Sequence, residues 1–113
     1  MKKTMNRAAH FVKVNVNPGV CGFECVINAW QTEARMVEIE IRESKCRHIQ
    51  QMAEHLKELT MDELFSPVPR NPAFICATEA SCHTSCPVPA AVLKAAEVAM
   101  EMALPKDVHV HFS

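Results

Sequence analysis

The chain has 113 residues, a formal net charge of −1 and 49% apolar residues, enough to build a core without disulfide staples and unlike a disordered segment. Five Phe, one Trp and no Tyr give no base-stacking platform, and no basic stripe follows Lys2, Lys3 and Arg7. Nucleic acid is therefore not an expected partner.

Residues 1–9 are expected to form a flexible lead-in to a single domain spanning 1–113. Their positive charge is not followed by an apolar stretch of signal-peptide type, and no run approaches the length of a membrane span. A cytoplasmic chain without membrane contact is the expectation. From His10 to Val16 the residues alternate, with Val12, Val14 and Val16 on one face, as in a half-buried strand. Asn17-Pro18-Gly19-Val20 predicts a turn, since Pro presets φ and Gly accepts a positive one. A second strand is predicted over Cys25–Gln31, and a third over Met36–Arg42, where Val37, Ile39 and Ile41 alternate with Glu38, Glu40 and Arg42.

At Lys45 the period changes. Ile49, Met52, Ala53, Leu56 and Leu59 form one apolar stripe, predicting a helix over 45–59 with Ser44 as its N-cap. Met61–Phe65 predicts a short helical turn, and the prolines of 66–72 a connection. Ala73–Ala77 is a short apolar run predicted as an internal strand, followed by a loop over 81–89. A helix over Val88–Ala103 has small residues that allow close packing on a sheet; Pro105 ends it. Val108, Val110 and Phe112 then predict a last alternating strand. The expected fold is α+β, a two-layer sandwich with an N-terminal antiparallel three-strand meander. Two main helices would pack on one sheet face, with a C-terminal strand and the order βββα(β)αβ.

Six cysteines in a chain without an export signal point to metal or redox chemistry rather than disulfides. They fall as Cys21-x3-Cys25, Cys46, Cys76 and Cys82-His83-x2-Cys86. Cys21 sits in a loop with both glycines of the chain, Gly19 and Gly22. These are expected to turn the backbone and bring N–H groups toward sulfur as part of a cofactor site. Cys46 and Cys86 lie at predicted helix starts, whose unpaired N–H groups and dipole favour thiolates and are expected to depress cysteine pKa values. Cys21, Cys46 and Cys86 are thus the expected metal ligands, with Cys82, Cys25 or His83 as the fourth. An iron–sulfur cluster and Zn both suit such a set, and the choice between them stays open.

Cys76, within Phe74-Ile75-Cys76-Ala77, is expected to be core, and Cys25 reads equally well as core or site. His109 and His111 are expected on the solvated face of the last strand, and His48 and His55 on a helix surface. No phosphate-cradling loop, Gly-x-Ser-x-Gly elbow or His-Glu-x-x-His helix is present, so no catalytic template assigns a reaction.

The segments Asn17–Phe23, His83–Pro89 and Ala103–Val108 resemble those of a small prokaryotic cysteine-containing family of unknown function, over most of the chain. The resemblance carries no activity; it implies Cys21, Cys46, His83 and Cys86 as the positions of interest. The function expected is a metal- or iron–sulfur-binding domain in an accessory or electron-transfer role. The alternatives are a thiol redox protein, or a homodimeric interaction module joined through a strand edge or the Met-rich helices.

Overall fold

The computed structural model describes residues 11–113; the expected lead-in over 1–9 and His10 lie outside the described residues. Strands β1 (Val12–Val16), β2 (Cys25–Glu33), β3 (Met36–Arg42) and β4 (Glu58–Thr60) form one antiparallel sheet in the order β1-β2-β3-β4. The predicted meander is present and gains β4 on its far side. Its register follows the apolar alternation: Val14 opposes Ile27, which opposes Ile41, and Val12, Ala29 and Ile39 align likewise. A one-residue slip would turn all of these toward the wrong face, so burial pins the pairing. At one end of the sheet β1 and β3 finish and β2 begins, with Val16 opposite Cys25 and Val26 opposite Arg42.

Helices α1 (Arg47–His55), α2 (Met61–Leu64), α3 (Pro72–Glu79) and α4 (Val88–Ala99) pack with the sheet, joined by a 3-10 turn at Val68–Arg70. Val92, Ala95, Ala96 and Ala99 of α4 are buried at helical spacing, and α4 crosses β1, β2 and β3. Alanine shortens the distance between helix and strand backbones, as the sequence predicts. Ile49 and Met52 of α1 close the core beside β3.

Several expectations are corrected. Residues 73–77 are helical, not a strand: Asn71 caps α3, its Oδ1 accepting the Ala73 N–H at 3.0 Å, and Pro72 occupies the first turn. The helix predicted over 45–59 stops at His55, because Glu58–Thr60 pairs with Met36–Glu38 of β3. Leu56 and Leu59 are nonetheless buried, so the stripe identified core residues but not their conformation. The α1 N-cap is Cys46, not Ser44, whose Oγ instead accepts the Cys46 N–H at 3.1 Å.

The fourth correction is at the other end of the chain. Helix α4 ends at Ala99, where Glu101 takes a left-handed φ of 61° and its N–H bonds to the Val98 carbonyl, while Met102 N–H reaches Glu97. Beyond it, Val108–Phe112 is not a strand: the segment runs without regular structure and is exposed throughout. Alternation yields a strand only where a partner edge supplies hydrogen bonds. Among the described residues, no helix is long and apolar enough to cross a membrane.

Candidate functional site

Five of the six cysteines are brought to the end of the sheet where β2 begins. Cys25 opens β2 on its helix-facing side and is 3% exposed. Cys21 stands exposed in the preceding loop. β3 leaves the sheet at this same end, turns through Glu43 at a left-handed φ of 61°, and delivers half-buried Cys46 to the start of α1. The loop from α3 to α4 carries half-buried Cys82 and Cys86. Cys82 is held by the ending of α3: Ser81 is left-handed (φ 62°), its N–H bonds to Thr78, and the Cys82 N–H to Ala77 at 2.9 Å.

The thiols sense one another. Burial pushes the Cys25 thiol up to about 11, and negative charge on Cys86 and Cys46 adds to the shift. Burial likewise raises Cys82 to about 11, again with Cys86 and Cys46 contributing. Cys86 is raised by burial and by Cys21 and Cys46, against the Val88 backbone N–H, which donates to its sulfur and favours the thiolate. The expected helix-start effect is thus present at Cys86 but outweighed by desolvation, which reverses the predicted direction. Cys76 stands apart: it packs against the core, and its thiol is raised by burial and then by Glu79. All six cysteines are free thiols.

The glycines act through φ alone. Gly19 (φ 94°) and Gly22 (φ 72°) need the left-handed region, yet a Cβ on either would touch nothing within 4 Å. Their N–H groups are taken inside the loop, Gly19 by Asn17 Oδ1 at 3.1 Å and Gly22 by the Gly19 carbonyl at 2.9 Å. The expected delivery of these N–H groups to sulfur is corrected accordingly.

His83 is exposed in the Cys82–Cys86 loop, and His109 and His111 lie on the irregular segment rather than on a strand. His48 has a role that surface periodicity hides. Its Nδ1 lies 2.9 Å from the Ala80 carbonyl, bridging the first turn of α1 to the end of α3. A carbonyl only accepts, so Nδ1 carries the hydrogen. The sequence signal was its place two residues after Cys46. Among the described residues, no three His, Cys, Asp or Glu side chains form a ready metal-binding group. The five thiols share one end of the sheet and one another's electrostatic field without meeting at a point.

Two measurements on metal-free protein check this description. In alkylation at neutral pH, Cys21 should react first and Cys25 and Cys82 slowest, because the thiolate is the nucleophile and exposure governs access; mass spectrometry of partially modified chains reads the order. Stability should also fall at high pH. The Cys25 thiol is held protonated in the fold, so its contribution is complete below the unfolded value near 9.0 and is lost as pH rises through about 11. The loss is on the order of 2 kcal/mol. Urea unfolding at pH 8 and 11 should show it, with Cys25→Ala giving the shallower decline.

Residues 12–112 match a family of unknown function (DUF6951), a span that takes in all three of the segments that suggested such a family. No curated protein and no solved structure matches the chain.

Proposed function

Because the chain belongs to the DUF6951 family, whose function is unknown, we propose a reading from its own residues: a domain that binds a thiolate-held metal centre, an iron–sulfur cluster or Zn, in an accessory or electron-transfer role. In this reading Cys21, Cys46 and Cys86 are ligands, completed by Cys25, Cys82 or His83. α1 and α4 cover one face of a two-layer sandwich, and a reducing cytoplasm keeps the thiols available.

The observation that carries it is the gathering of five thiols from three separated stretches of chain at one end of the sheet, close enough that neighbouring thiols add to the shifts of Cys25, Cys82 and Cys86. Burial penalises the charged form most and neighbouring thiolates repel it further, which is why Cys25 and Cys82 favour the protonated form. A bound cation inverts that balance, since it deprotonates a coordinating thiol outright and offsets the charge of its neighbours. The N–H of Val88 on Cys86 is the kind of second-layer donor that tunes a ligating sulfur. Thiolates bind zinc at about 2.3 Å, so the sulfurs must draw together on loading. The exposed Cys21 loop, with its two left-handed glycines, is the part free to move inward.

A thiol redox role has weaker support. Thiols raised to about 11 are poor attacking nucleophiles at neutral pH, and both close pairs are Cys-x3-Cys rather than Cys-x2-Cys. Anaerobic purification with metal and sulfide determination and visible absorbance tests the proposal. A metal or cluster in stoichiometric amount is expected. A colourless, metal-free chain whose melting responds neither to Zn nor to chelator would overturn it.

A further inference from the structure

The irregular segment after α4 is apolar in a way that an isolated solvated segment does not explain. Leu104, Val108, Val110 and Phe112 are 75%, 61%, 84% and 91% exposed, and from Val108 to Phe112 apolar residues alternate strictly with His109 and His111. That is the pattern of a strand with one side for a core and one for water.

The sheet offers a matching place. Among the described residues, no strand pairs with the outer edge of β1. Val12 and Val14 of β1 are only half-buried, whereas Ala29 and Ile27, opposite them on β2, are 0% exposed, so the apolar layer under α4 runs out at this edge. β4, at the other edge, has three residues and no such row of valines. Along the open face of β1, Lys13 and Asn15 are polar and exposed, a side suited to Asp107, His109 and His111. Residues 101–113 of the same chain are exposed throughout, so its own sheet does not take them up.

We propose that the protein is a two-fold symmetric dimer in which residues 107–112 of each copy add as a strand to β1 of the other. Val108, Val110 and Phe112 then continue the layer of Val12, Val14 and Val16, and both outer β1 edges are covered by one reciprocal exchange. The inference is independent of the cysteine site.

Sedimentation and light scattering on the full chain test it, with Val110→Lys on the apolar side and His111→Lys on the polar side. Both positions are exposed in the single chain, so circular dichroism should show an unchanged fold in either variant. A dimer is expected for the unmodified chain and for His111→Lys, with the dissociation constant of Val110→Lys raised about 30-fold or more. Amide exchange in β1 should speed up in Val110→Lys. A monomeric unmodified chain, a Val110→Lys dimer of undiminished affinity, equal damage from both lysines, or β1 exchange indifferent to Val110 would each overturn the proposal.

Discussion

Replacing Cys46 or Cys86 by serine should lower Zn affinity by well over 100-fold and remove the stabilisation that metal confers. Loss of an outer-layer partner alone typically costs 10- to 100-fold, and a ligand contributes more than that. With free Zn at about 100 times Kd, the unmodified fold should gain about 2.7 kcal/mol over its metal-free form. Cys76→Ser is the matched control, because Cys76 lies on α3 with Glu79, rather than another thiol, acting on it. It should bind as the unmodified chain does. Binding should also tighten as pH rises toward 9, since each ligating thiol gives up a proton. Thermal melts with and without metal, read beside competition with a chromogenic chelator, separate the outcomes. Equal loss in Cys76→Ser, or retained binding in Cys46→Ser, would leave the metal reading without its ligands.

Asn71→Ala should cost about 3 kcal/mol, an effect out of scale with an ordinary helix cap. Asn71 is 2% exposed and serves two elements at once. Its Oδ1 caps α3 through the Ala73 N–H, while Nδ2 donates to the carbonyls of Glu63, Leu64 and Ser66 at 3.1, 3.2 and 3.2 Å. Losing the cap costs roughly 1 kcal/mol, and the Leu64 and Ser66 carbonyls left without the amide add about 1–3 kcal/mol each unless water reaches them, whereas the Glu63 carbonyl keeps the N–H and hydroxyl of Ser66. Asn71→Asp discriminates the two contributions. Aspartate caps as well as asparagine does, yet it cannot donate and would set a carboxylate against three carbonyl oxygens. It should therefore be at least as damaging as alanine. If urea unfolding shows Asn71→Asp close to the unmodified chain, the donor side of Asn71 is not what holds the connection from α2 to α3.

The residues that could be read from the sequence are those whose period is set by burial on one face. Val12, Val14 and Val16, and Val37, Ile39 and Ile41, alternate over enough positions for the strand period to be unmistakable, and their strands pair as expected. Ala73–Ala77 is too short for period to separate strand from helix. The decisive signal there was Asn71-Pro72, a cap followed by a first-turn proline. At Leu56 and Leu59 the helical spacing continues past the real end of α1, because pairing with β3 outbids local preference over Glu58–Thr60. The positions of Cys21, Cys46 and Cys86 beside element ends could be read from the sequence, but not that the thiols would share one end of the sheet without forming a ready metal-binding group among the described residues. The inclusion of Cys25 required knowing which face of β2 meets the helices, and the direction of the Cys86 shift required its burial. Val108–Phe112 shows the complementary failure, a strand pattern that pairs with no strand of the same chain's sheet among the described residues.

The bond from His48 to the Ala80 carbonyl acts as a strut between two supports, one carrying Cys46 and the other Cys82. That bond fixes the spacing between the first turn of α1, at His48 two residues after Cys46, and the end of α3, at Ala80 two residues before Cys82. The separation of two cysteine-bearing loops thus depends in part on an imidazole that lies outside the set of thiols.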